Sequence, residues 1–128
     1  MFDELTQSDV NAAAKMELRD DADAPIMKPD GASMTITLLG KDSDAYVKQD
    51  NANTNRRLAQ GTRLKITAEA LRADSIALLA RCTVGWDFAT PCTYEAAIQL
   101  YNMFPAIKEQ ADAFITDRGN FTQPSPTT

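Results

Sequence analysis

Residues 66–86, ITAEALRADSIALLARCTVGW, form the longest stretch with helical periodicity, so the rest of the fold has to be arranged around the face it offers. Thr67 is placed to cap the start, and Glu69 puts a negative charge in the first turn. Ala68, Leu71, Ser75, Leu78 and Cys82 recur at helical spacing, and Ile76 and Leu79 widen the stripe into a face about as broad as a core requires. Gly85 stands where a left-handed residue commonly closes a helix, and Trp86 just beyond is expected to fold back as a buried lid over the last turn.

The flanking segments divide at turn formers. AKMELRD and MTITLLG alternate in the manner of strands, separated by the turn-rich DDADAP and KPDGAS, and predict a short antiparallel β-element. In the second strand Met34, Ile36 and Leu38 share one face, with Thr35, Thr37 and Leu39 on the other. Asp42 or Ser43 can cap a helix from Asp44 to about Ala59 that Gly61 ends; its apolar positions, Tyr46 and Leu58, are too sparse for deep burial. Thr93 caps a helix from Tyr94 to Met103 with Ala97, Ile98 and Tyr101 inward. Pro105 opens another, carrying Ile107, Ala111, Phe114 and Ile115 on one stripe, with Gly119 closing it. The expected fold is α+β: an N-terminal antiparallel β-element followed by a bundle of about four helices. It forms a single domain over 1–128, with a β-rich part (1–41), a helical part (42–119) and a mobile polar tail (120–128).

Charge and cysteine usage limit what such a domain can do. A net charge of −5 disfavours a general binder of nucleic acid or anionic membranes. It is unevenly spread: residues 1–30 hold three basic and eight acidic side chains, whereas residues 48–65 hold five basic and one acidic. The first residues, MFDELTQSDV, carry no secretory signal, and no apolar run is long enough to cross a bilayer, which places the chain in the cytoplasm. There Cys82 and Cys92 read as apolar thiols rather than as a disulfide. Histidine is absent, which removes the commonest general base and metal ligand, and with them histidine-dependent triads and zinc sites.

The remaining candidates for chemistry are weak beside their ordinary explanations. Asp20, Asp21 and Asp23 could face a hard cation but lack the glycine and terminal glutamate of a calcium loop, so a solvated turn is expected. The five glycines are isolated and form no phosphate loop. The chain therefore reads as non-catalytic, without cofactor or metal. Seven of its nine aromatics lie from Trp86 onward, which locates the core in the C-terminal half. Phe88, Phe104 and Phe121 fall in loops or at helix ends and are candidate partner anchors. Arg56, Arg57, Arg63 and Lys65 form a basic stretch without interleaved aromatics, which reads first as a solvated helix face rather than a nucleic-acid site; it could also steer an acidic protein surface, or another copy in a weak homo-oligomer.

The order of these features, with LLA before VGW at residues 78–86 and IKEQADAFITDRGNF at 107–121, resembles the tail assembly chaperones of long-tailed bacteriophages. The resemblance implies a small protein of the infected cell's cytoplasm that holds the tape measure protein soluble while tail tube subunits polymerise around it. Its partners would be the tape measure protein and the tail tube protein. A structural protein of the phage tail or head-to-tail connector is the alternative with a similar sequence profile.

Overall fold

The computed structural model describes residues 10–63 and 66–121. The fold is α+β. Strands β1 (Ala14–Glu17), β2 (Thr35–Leu38) and β3 (Thr83–Trp86) form an antiparallel sheet with β2 in the centre. Among the described residues four helices accompany it: α1 (Asp44–Gln60), α2 (Ala68–Cys82), α3 (Tyr94–Met103) and α4 (Pro105–Thr116).

Between β1 and β2 the chain doubles back twice. The backbone bonds Leu18 N–H to Met34 O, Ile26 N–H to Leu18 O and Met34 N–H to Ile26 O tie three passes together. Two turns make this possible. In the first, one carboxylate oxygen of Asp20 accepts from the Ala22 and Ala24 amides, and Asp23 takes a left-handed conformation (φ 62°), which aspartate tolerates because its side chain bonds locally. In the second, Asp30 accepts from Ala32 and Gly31 supplies φ 89°. The aspartates of DDADAP are thus turn residues. On β2, Ile36 and Leu38 are buried while Thr35 and Thr37 are half-buried, the alternation expected from sequence.

Helix starts follow local chemistry. Ser43, Thr67 and Thr93 each accept a backbone N–H of the first turn through the side-chain oxygen, and Pro105 occupies the opening of α4. Gly61, at φ 52°, ends α1.

The end of α2 differs from the sequence expectation. The helix stops at Cys82, Thr83 is its C-cap in an extended conformation, and Gly85 lies in strand β3 opposite Thr37, without a positive φ. Val84 and Trp86 are strong strand formers, and pairing along β2 satisfies backbone groups that a helix cap would leave to solvent. Trp86 is consequently half-buried at the edge of the core, its indole N–H donating to Thr90 O at 2.7 Å, rather than a buried lid. The sheet is therefore not confined to the N-terminal part: its third strand is supplied after α2.

The C-terminal end also departs from expectation. Helix α4 ends at Thr116 with Asp117 as C-cap, and Arg118–Phe121 form a 3-10 turn, so Gly119 is not the cap and residues 120 and 121 belong to ordered structure. The rest of the expected mobile tail, 122–128, lies outside the described residues. Arg118 makes a bidentate pair with Asp42 (2.6 and 3.0 Å), and Phe121 stacks edge-on against Phe114 with centroids 5.4 Å apart.

The core is shared by both halves. Met16, Leu18, Ile36 and Leu38 come from the β-element, Ile76, Leu79 and Ala80 from α2, and Ala97, Tyr101, Ala111 and Ile115 from α3 and α4. Of the aromatics among the described residues only Tyr101 is fully buried; Tyr46, Trp86, Phe88, Tyr94, Phe114 and Phe121 are half-buried against the core and Phe104 is exposed, so their count misplaced the core. Helix α2 is the hub, in contact with α1, α3 and α4.

Buried Gly40 yields a test of the C-terminal turn. A Cβ there would stand 2.9 Å from the Phe121 ring, closer than carbon atoms pack. Gly40→Ala is expected to cost about 1–2 kcal/mol in denaturant unfolding, because the ring must leave its seat. A variant as stable as the parent would show that Phe121 does not rest there.

Candidate functional site

Helices α1 and α2 form an antiparallel hairpin joined through a 3-10 turn, Gly61–Arg63. Its two halves are unlike. Near the sheet, α2 is buried from Ile76 to Cys82 except for Arg81 and the half-buried Ala77 and Leu78, and Arg81 reaches across to Gln49 and lies 3.7 Å over the Tyr94 ring. Toward the turn, every described residue from Thr54 to Ala73 is exposed apart from half-buried Arg57. This end is an arm reaching past the core, as the sparse apolar positions of α1 imply.

One buried charged residue holds the arm together. The Asp74 side chain, about 10% exposed, receives the guanidinium of Arg56 on one oxygen and that of Arg57 on the other. The Asp74 carbonyl also accepts from Asn53, which in turn accepts from Gln49. Burial alone would raise the Asp74 carboxyl, but the hydrogen bonds and charges of the two arginines outweigh it and hold the group below its ordinary value. Two cations share one anion, so the pair keeps an excess positive charge.

Beside these arginines runs an open groove of about 270 Å³ between the two helices, lined by Arg56, Arg57, Ile66, Ala70, Leu71 and Asp74 among others. Large apolar side chains stand uncovered along it, Ile66 at 66% and Leu71 at 48% exposure, and Leu58, elsewhere on α1, is 72% exposed. Leu71, expected on the inner stripe of α2, faces out, while Asp74 takes the buried place between the helices. Asp74 was missed as a site residue because a lone aspartate in a helix reads as solvent-facing. The available signal was the antiparallel register, which sets Asp74 opposite Arg56 and Arg57.

The other residues singled out from sequence are dispersed. Arg63 lies exposed in the 3-10 turn at the tip of the arm, and Lys65 lies outside the described residues. Phe88, in the loop after β3, is half-buried in an edge-on contact with Trp86 at 5.3 Å, and Phe121 is half-buried on Phe114. Phe104 forms the corner between α3 and α4 and is 49% exposed, next to the still more open Met103. Of the three phenylalanines, then, two are packed at the rim and one is open to a partner.

Cys82 and Cys92 are free thiols, the first buried and the second half-buried. Among the described residues no group of three or more aspartates, glutamates or cysteines is placed to hold a metal ion, and no helix is long and apolar enough to cross a membrane. No family model, curated protein or solved structure matches the chain.

Proposed function

We propose that this chain is a non-catalytic assembly chaperone of a long-tailed phage, which holds the tape measure protein soluble in the host cytoplasm until tail tube subunits enclose it. The observation that carries the reading is the uncovered apolar surface of the arm, Leu58, Ile66 and Leu71. Exposed apolar side chains beside fixed charge are what a holding protein needs to cover an aggregation-prone segment reversibly. The resemblance at residues 78–86 and 107–121 names the client.

Co-expression tests the reading. The chain is expected to raise the soluble yield of the tape measure protein encoded by the same phage and to co-purify with it, and mass spectrometry of washed virions is expected to find little of the chain. Stoichiometric presence in virions, with no gain in solubility, would overturn the chaperone reading in favour of a structural tail or connector protein.

A further inference from the structure

We propose that the groove of the arm is a docking site for an α-helical segment bearing an apolar stripe flanked by carboxylates. This names the chemistry of the segment held in the function proposed above, and so rests on that reading.

Two features of the groove choose the occupant. Apolar side chains, Ile66 and Leu71, stand exposed along it. A third helix laid into such a furrow can cover both side chains with residues spaced three and four apart. Its rim is cationic. Arg56 and Arg57 are steered into position by the one carboxylate of Asp74, and among the described residues neither has a second acidic partner. Each guanidinium carries five N–H donors, more than a shared carboxylate can accept, so outward-facing donors remain for a further carboxylate. Because Asp74 holds both planes in place before binding, the arginines lose little freedom when that carboxylate arrives. A basic or neutral flank gains nothing from this rim, and a basic one is repelled by it.

The probes are two fluorescently labelled synthetic helices of about 20 residues, long enough to be helical alone, with the same Leu and Ile stripe. One is flanked by Glu and the other by Lys. Binding to the whole chain is read by anisotropy at low and moderate salt. The Glu-flanked helix is expected to bind at least about tenfold more tightly than the Lys-flanked one, with an advantage that shrinks as salt rises. Ile66→Gln with Leu71→Gln is expected to weaken the Glu-flanked helix by about tenfold or more, as loss of central apolar contacts does, while melting stays near the parent's because both side chains are exposed. Leu71→Ser alone provides a second, milder variant for the same comparison.

Equal affinity for the two helices, or binding indifferent to the Ile66 and Leu71 changes, overturns the proposal. So does absence of helix binding together with concentration-dependent sedimentation that the double variant abolishes, which would make a second copy of the chain the occupant. The peptide measurement uses no phage client. Failure here with a successful co-expression result rejects the groove chemistry and leaves the holding function standing, and the reverse outcome separates them equally well.

Discussion

Tyr101→Ala is expected to lower unfolding free energy by about 3–5 kcal/mol, a large share of what a domain of this size has. Tyr101 is fully buried where α3 packs on α2, so truncation leaves a ring-sized cavity in the middle of the core. Its hydroxyl adds a smaller, separable part. Thr83 Oγ1 gives its one proton to Leu79 O at 2.7 Å, so the 2.7 Å contact between Thr83 Oγ1 and the Tyr101 hydroxyl has tyrosine as donor. That chain of bonds pins α3 to the point where α2 turns into β3. Tyr101→Phe keeps the volume and removes only this bond, for an expected cost of about 1 kcal/mol. Urea unfolding of both variants checks the pair. A Phe variant as damaging as the Ala variant would mean that the hydrogen bond, not the packing, dominates.

Stability is expected to fall steeply on the alkaline side. Burial pushes the Cys82 thiol up from 9.0 to about 11, against a smaller lowering by its hydrogen bond with Ser43. Burial also pushes the Tyr101 hydroxyl up from 10.0 to about 12. Tyr46 and Cys92 are raised too, through burial first. For each acid the folded chain keeps its proton at a pH where the unfolded chain has lost it. The associated stability is complete below the unfolded value and is lost as pH rises through the window, from 9 to 11 for Cys82 and from 10 to 12 for Tyr101. By pH 11 the loss is on the order of 2 kcal/mol from Cys82 and about 1 kcal/mol from Tyr101. Denaturant titrations from pH 7 to 11 should show a flat region below about pH 9 and a decline above it, shallower in Tyr101→Phe beyond pH 10. A profile flat to pH 11 would show that these groups are open to water in the folded chain.

Much of the fold was legible because it rests on local chemistry. Ser43, Thr67 and Thr93 act as caps wherever their hydroxyls can meet a first-turn amide, and Pro105 fits a helix start whatever surrounds it. The alternation of β2 announces its buried face in the same way. For the site, the basic stretch was visible as Arg56, Arg57 and Arg63, but not that two of these are organised by Asp74, since that depends on how two helices are aligned. Nor could chain position reveal that Phe88 and Phe121 lie half-buried against other rings whereas Phe104 remains open.

The sequence by itself determined where helices begin, which face of β2 is apolar, the absence of histidine chemistry and the poor burial of α1, because each depends on side-chain type and spacing over a few residues. Only the tertiary structure decided the fate of residues 83–86, since a glycine followed by tryptophan suits a helix cap or a strand, and the open edge of β2 selects the strand. It also decided that Asp74 is buried and Leu71 exposed. At the end of an arm that outruns the core Leu71 stays about half exposed, whereas two arginines of α1 lie across from Asp74 and compensate the cost of burying its charge.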